Sequence, residues 1–365
     1  MIHQIQIDEF VELAHTVPVF DVRSPGEYNH AHIPGAYSLP LFTDDERKVV
    51  GTAYMQQSRE DAIKLGLDFY GTKMRNMVEQ VERIIAELNP DTNDYTRRKD
   101  HKVLVHCWRG GMRSAGVAWL LDLYGFKVYT LVGGYKAYRN WALKQFGKDY
   151  PLNVLGGYTG TGKTEVLKEL EWNSEIVIDL EGIAKHKGSA FGGFGTVQPG
   201  QEMFENELAM QLYTAQRNLK EGSRIWVEDE SRRIGLINLP NAFYKTLVSS
   251  PLYFLNVPFQ QRTEWIVAGY GKYTTEELIN AIVRIKKRLG GQETKNAISA
   301  LVENDHLTCF GILLKYYDKY YGKGLAEREH SGTTIYKINT DKVDATANCS
   351  LLLSSLQEIS SPITN

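Results

Sequence analysis

Short apolar runs alternate along the chain with longer stretches in which apolar positions recur every three or four residues. That alternation predicts parallel strands joined by helices. The runs are Val17–Asp21, Val103–Val105, Lys127–Leu131, Asn153–Leu155, Ile176–Leu180, Arg224–Glu228 and Leu252–Val257, with Thr333–Ile338 as a late strand. Between the first two the pattern is helical from Leu39 to Asn93, where Val78, Val81, Ile84, Ile85 and Leu88 form a stripe that Asn89 and Pro90 end. Asp91 to Asp100 is then a charged polar loop. Helical spacing follows at Ala115–Leu123, Tyr135–Gln145 and Lys163–Leu170, and in a long segment with Phe204, Leu208, Leu212, Ala215 and Leu219 on one face. Thr275–Leu289, Glu293–Glu303 and Leu307–Tyr321 close the chain with successive amphipathic helices. The expected fold is α/β throughout: a parallel-sheet domain over 1–146 with a helical insertion, then a second α/β domain over 147–365 with a helical C-terminal part.

Composition changes that picture little. At 365 residues the chain is long for one core, which agrees with two domains, and 42% hydrophobic with 24% charged residues excludes a disordered chain. No apolar run is long enough to span a bilayer, and Met1–Phe10 lacks the basic start and apolar stretch of a signal peptide. Cys107, Cys309 and Cys349 lie far apart with neither disulfide nor metal spacing, so a reducing, cytoplasmic setting is expected. A net charge of −2 gives no overall pull on nucleic acid; RNA contacts would need local patches. The candidates are Arg97, Arg98 and Lys99 with Lys102, and Arg284, Lys287 and Arg288 on one helix face, although such patches are more often solvated surface. Tyr316, Tyr317, Tyr320 and Tyr321 suit base stacking or, more commonly, core and rim packing.

Candidate chemistry concentrates in two loops. In the first, Val103–Val105 leads into His106-Cys107-Trp108-Arg109-Gly110-Gly111-Met112-Arg113-Ser114 and then a helix. Backbone N–H groups, the helix N-terminus and the guanidinium groups of Arg109 and Arg113 all favour negative charge there, which makes Cys107 a reactive thiolate in an anion cradle. A buried packing cysteine would need no such cationic turn. In the second loop, Gly157, Gly162, Lys163 and Thr164 fit G-x-x-x-x-G-K-[ST] between a strand and a helix, with Gly160 also inside the turn. Its amides wrap phosphate, Lys163 adds a point charge, and the Thr164 hydroxyl can ligate Mg²⁺. Asp179 and Glu228, with Asp229, end strands where a P-loop protein orients its magnesium, although strand-end acids are as often plain turn residues. Lys185 to Gly193 is a glycine-rich basic loop suited to closing over a ligand.

Asp21-Val22-Arg23 with Glu27-Tyr28 and His32-Ile33-Pro34-Gly35-Ala36, the cysteine loop, and Leu131 to Trp141 resemble a rhodanese domain. In that family the loop cysteine carries a transferable sulfur or selenium atom. One departure stands out: sulfur-carrying rhodaneses usually enclose four residues in this loop, whereas Cys107 to Arg113 encloses five. His106-Cys107 with Arg113-Ser114 also resembles the signature of cysteine phosphatases, and the wider loop suits a tetrahedral phosphorus.

The pairing of a rhodanese-like half with a P-loop half resembles the tRNA 2-selenouridine synthases over nearly the whole chain. Glu46-Arg47, Val50-Gly51-Thr52, the two loops, Asp179 to Gly182, Gly188 to Gly192 and Glu228 to Arg232 look like family motifs. The resemblance implies a tRNA partner with 2-thiouridine at the wobble position, and a transferase of two steps. The sulfur is geranylated by geranyl diphosphate; selenium from selenophosphate then displaces the S-geranyl group. It assigns selenium acceptance to Cys107 with Arg109 and Arg113. Gly157, Gly160, Gly162, Lys163, Thr164, Asp179 and Glu228 go to the diphosphate, with Mg²⁺ at Thr164 an option. Three rivals remain at this stage: a P-loop kinase or ATPase with a regulatory rhodanese domain, a rhodanese-fold cysteine phosphatase, and a non-catalytic tRNA-binding module.

Overall fold

Val103, Leu104 and Val105 are all fully buried, as a strand covered on both faces by helices requires. They lie in β4 (Lys102–His106) of a five-stranded parallel sheet, with β1 (His3–Ile5), β2 (Val19–Asp21), β3 (Tyr37–Ser38) and β5 (Lys127–Leu131) in the order β1-β5-β4-β2-β3. The computed structural model describes residues 2–88, 101–188, 196–270 and 273–360. The Arg97-Arg98-Lys99 patch, the Asp91 to Asp100 loop and most of the Gly188 to Gly193 stretch fall outside them.

β1 and β3 are absent from the sequence pattern, because His3-Gln4-Ile5 and Tyr37-Ser38 are not runs of apolar residues. The helical stretch after Leu39 is three helices, Asp44–Gln56, Arg59–Gly71 and Met74–Leu88. Thr43 and Ser58 cap the first two by accepting from the N–H groups of Glu46 and Asp61. Met77, Val78, Val81, Ile84 and Ile85 bury their stripe in the core, but Leu88 at the helix end is 49% exposed.

A second five-stranded parallel sheet has the order β12-β11-β6-β8-β7, from β6 (Leu152–Gly157), β7 (Ile176–Ile178), β8 (Ile225–Glu228), β11 (Leu252–Asn256) and β12 (Ile335–Asn339). β9 (Arg233–Ile234) and β10 (Ile237–Asn238) form a small antiparallel hairpin that the pattern does not reveal. The long helix is Gln201–Asn218, so Leu219 caps its end instead of joining its buried face. Helices Thr275–Leu289, Gly291–Val302 and His306–His330 enclose a separate core of Leu278, Ala281, Ile282, Ala297, Leu301, Phe310, Leu313 and Leu314.

The chain divides into two compact units, Met1–Gln145 with Glu205–Met210, and Phe146–Phe204 with Gln211–Asn365. In the first, β2 and β4 are neighbours, with Asp21 beside His106 at their carboxyl ends. In the second, β6 and β8 are neighbours, with Leu155 beside Glu228. In both sheets the candidate loops therefore stand at carboxyl strand ends, where open α/β sheets bind ligands. No helix of the described residues is long and apolar enough to cross a membrane.

Candidate active site

Cys107 follows β4 directly, and its Sγ lies 3.3 Å from the Ser114 hydroxyl. Burial alone would raise the thiol pKa, but the Ser114 hydroxyl and the amides of Ser114, Gly111 and Arg109 bond to the sulfur and hold it below its usual range. Cys309 and Cys349 show the contrast: burial pushes both up to about 11. The residue count in the loop works because of two glycines. A Cβ on Gly134, at φ +58°, would sit 2.4 Å from the Cys107 carbonyl oxygen, and one on Gly110, at φ +66°, 2.5 Å from that of Leu131. The segment after β5 can thus press against the thiol loop, where Tyr135 and Lys136 donate their N–H groups to the carbonyls of Cys107 and Trp108.

The two loop arginines have different settings. Arg109 is exposed. Arg113 is held in an ion pair, its Nη1 donating to Glu27 Oε2 at 2.7 Å, and Glu27 also completes the capping box of Ser24. Arg113 thus stands at the loop in one orientation, already sharing its charge with a carboxylate. Below, Asp21 binds the buried Arg23 guanidinium, whose carbon lies 3.8 Å above the Tyr135 ring. Burial would raise the Asp21 pKa, but His106 and Arg23 hold it low. Burial is the largest influence on His106 and lowers its pKa, while the adjacent Asp21 charge works in the opposite direction. This buried network adjoins Cys107, which is itself only 3% exposed and packed at the edge of the first unit's core.

The second loop rises from β6. Gly157, Gly160 and Gly162 have φ of +155°, +84° and +76°. A Cβ on Gly160 would meet Ile266 Cδ1 at 2.7 Å, and one on Gly157 would meet Thr161 Oγ1 at the same distance. Gly162 leads into the helix Lys163–Trp172. Lys163 donates to the Gly157 carbonyl at 3.1 Å and lies over the Tyr321 ring. Buried Arg262 braces the turn: it donates to the Thr159 carbonyl at 3.1 Å and pairs with Asp318 through two bonds of 2.9 and 2.7 Å.

A cavity of about 1050 Å³ opens over this loop. Its walls include Gly160, Gly162, Lys163, Thr164 and Asp179, and also Glu181, Asp229, Glu230, Arg328 and an aromatic and aliphatic set of Val248, Phe254, Trp265, Ile266, Tyr316 and Tyr317. Asp179 lines it while capping the helix Leu180–Ala184 through the Gly182 N–H. Gly157 and Glu228 do not line it. The Glu228 carboxylate lies below, accepting the Glu181 N–H at 2.6 Å, with burial raising its pKa far above the usual value. The acids that line the cavity include Asp179, Glu181, Asp229 and Glu230, the last two just past the strand end. Asp229 pairs with Arg328, while Glu181 accepts from Thr164 and shares a hydrogen bond with Glu230. Burial raises the pKa of Glu181 and Glu230, and for Glu230 the neighbouring Glu181 charge raises it further. Sequence position shows the carboxylates of 229 and 230 but not that 181, on another element, meets them.

Mg²⁺ takes oxygen ligands and is usually held by one or two carboxylates plus phosphate and water. The Thr164 hydroxyl with Glu181 and Glu230 is a donor set of that kind. Among the described residues no group of three or more His, Cys, Asp or Glu side chains forms a metal cluster. Of the basic face predicted on Thr275–Leu289, Arg284 and Lys287 are exposed, and Arg288 lines the cavity.

Comparison with known proteins covers both halves. Residues 6–141 match the rhodanese-like domain and residues 150–350 match the tRNA 2-selenouridine synthase AAA domain. The tRNA 2-selenouridine synthase of Pseudomonas syringae pv. tomato is 34% identical over 353 residues, spanning 87% of this chain and 90% of that protein. That of Pseudomonas syringae pv. syringae is 35% identical over 355 residues with the same coverage. That of Sulfurovum is 32% identical over 361 residues, 90% of this chain and 93% of its own.

Proposed function

The chain belongs to the tRNA 2-selenouridine synthase family, and on that premise we propose that it converts wobble 2-thiouridine in tRNA to 2-selenouridine by way of an S-geranyl intermediate. The P-loop half takes geranyl diphosphate. The thiocarbonyl sulfur attacks the first carbon of the geranyl chain, the carbon–oxygen bond breaks, and diphosphate leaves with the electron pair while the base loses its N3 proton. Loop amides and Lys163 stabilise the charge that builds on the leaving diphosphate, which requires no nucleotide hydrolysis. Thr164, Glu181 and Glu230 would hold Mg²⁺, which when bound supplies further charge neutralisation there.

The observation that carries this reading is the double character of the cavity. One wall is the phosphate-wrapping loop with Lys163, and others are Trp265, Ile266, Phe254 and the Tyr316–Tyr317 pair, a surface suited to a branched hydrocarbon chain. In the second step selenium from selenophosphate enters at C2 and geranylthiolate departs, a better leaving group than the original thiocarbonyl sulfur. The Cys107 loop, with its amides and Arg109, is the selenophosphate site.

Mass spectrometry of nucleosides from tRNA supplied with geranyl diphosphate and then selenophosphate tests the whole scheme. Lys163→Ala should leave 2-thiouridine unchanged. Cys107→Ser should accumulate S-geranyl-2-thiouridine without selenium. Normal selenouridine from both variants would sink the proposal, as would ATP turnover without tRNA that Lys163→Ala abolishes while geranylation survives.

A further inference from the structure

Electron counting limits what Cys107 can do with selenophosphate, and the shape of its loop points the same way. Selenium in selenophosphate is already fully reduced. If the Cys107 sulfur attacked selenium, forming a sulfur–selenium bond, phosphorus would have to leave with the bonding pair as phosphite, or an oxidant would have to remove two electrons. Neither is supplied by the scheme above. Attack on phosphorus has no such deficit. The sulfur–phosphorus bond forms, the selenium–phosphorus bond breaks, and selenium departs with the electron pair as hydroselenide after gaining a proton.

Resting on the proposed function, we infer that Cys107 is a phosphoryl acceptor: its thiolate attacks the phosphorus of selenophosphate, forms a transient phosphocysteine and releases hydroselenide, which displaces geranylthiolate at C2 of the base. Water then attacks the phosphocysteine, the sulfur–phosphorus bond breaks, and inorganic phosphate leaves as the thiolate is restored. Atoms and electrons balance at every stage with water as the only added reactant.

The loop has the parts this needs. Five residues separate Cys107 from Arg113, giving a ring of amides that wraps a tetrahedral group instead of a single atom. The amides of Arg109, Gly111 and Ser114 are donors to Sγ, so the loop supplies N–H groups next to the place where a phosphoryl group on that sulfur would sit. Glu27 fixes Arg113 beside the ring. The Ser114 hydroxyl, 3.3 Å from Sγ and 2% exposed, sits where it can donate to the sulfur when sulfur becomes the leaving group in hydrolysis.

The test is a pair of parallel reactions of the full chain with S-geranylated tRNA and selenophosphate, labelled in one on phosphorus and in the other on selenium, quenched rapidly and digested. Label from phosphorus but not selenium should appear on the Cys107 peptide, and Cys107→Ser should show none. Ser114→Ala should raise the trapped fraction at least several-fold while slowing phosphate release. Selenium without phosphorus on the peptide overturns the inference. So does normal selenouridine formation with neither label on Cys107. Failure of the proposed function itself looks different, because S-geranyl-2-thiouridine would not be consumed at all.

Discussion

Glu27 accepts the Arg113 guanidinium at 2.7 Å although the two residues are 86 positions apart, which ties the helix after β2 to the thiol loop after β4. Its carboxyl is half-buried; burial would raise its pKa, yet Arg113, the Ser24 amide and Arg47 hold it below the ordinary carboxylate range. Glu27→Gln should therefore cost about 1–2 kcal/mol at neutral pH, the worth of a charge-assisted hydrogen bond. A group whose folded pKa is depressed stabilises above its unfolded value and ceases to as pH falls through its folded one. The stability gap between wild type and variant in urea melts should accordingly narrow in acid below the usual glutamate pKa. A gap that persists unchanged there would contradict the ion pair. The variant should also slow selenium incorporation while leaving geranylation intact.

The three thiols should titrate in two groups. Cys107 is held low by hydroxyl and amide donors, whereas Cys309 and Cys349 ionise only at about 11. In the ultraviolet thiolate absorbance of the folded protein, the first step should fall below that of a free thiol and vanish in Cys107→Ser. A first step unchanged in that variant would mean that the nest does not act on sulfur.

Gly134→Ala places a methyl group 2.4 Å from the Cys107 carbonyl in a left-handed backbone. Loss of about 2 kcal/mol or more is expected, together with a weakened selenophosphate step, since relief requires the two loops to separate. Chemical denaturation would measure it, with Gly51→Ala, where a Cβ meets nothing within 4 Å, as the tolerant comparison.

Arg262→Ala removes the cation from buried contact with Asp318 and from the Thr159 carbonyl. An uncompensated acid and an unpaired P-loop carbonyl should together cost roughly 3–5 kcal/mol. Arg262→Lys keeps the charge but not the two-pronged geometry, so it should recover part of the stability while geranyl diphosphate affinity stays reduced. Isothermal titration of both variants separates the two effects; full affinity in Arg262→Ala would show that the brace is irrelevant to the loop.

Both loops were readable from the linear chain because each is a local event. Val103–Val105 followed by a cysteine and two glycines, or Asn153–Leu155 followed by Gly157 to Thr164, specify a strand, a tight turn and a helix start within about a dozen residues, and backbone sterics do the rest. The same locality made the two parallel sheets and the C-terminal helices visible as periodicity. What side chains far apart in sequence do to one another was decided by the path of the chain. Glu27 reaching Arg113, Glu181 meeting Thr164 and Glu230, and Glu228 turned beneath the cavity while Asp229 and Glu230 face it all depend on which strands became neighbours. An ion pair or shared proton has no spacing signature of its own; it exists only once burial has made an unpartnered charge too costly to leave alone.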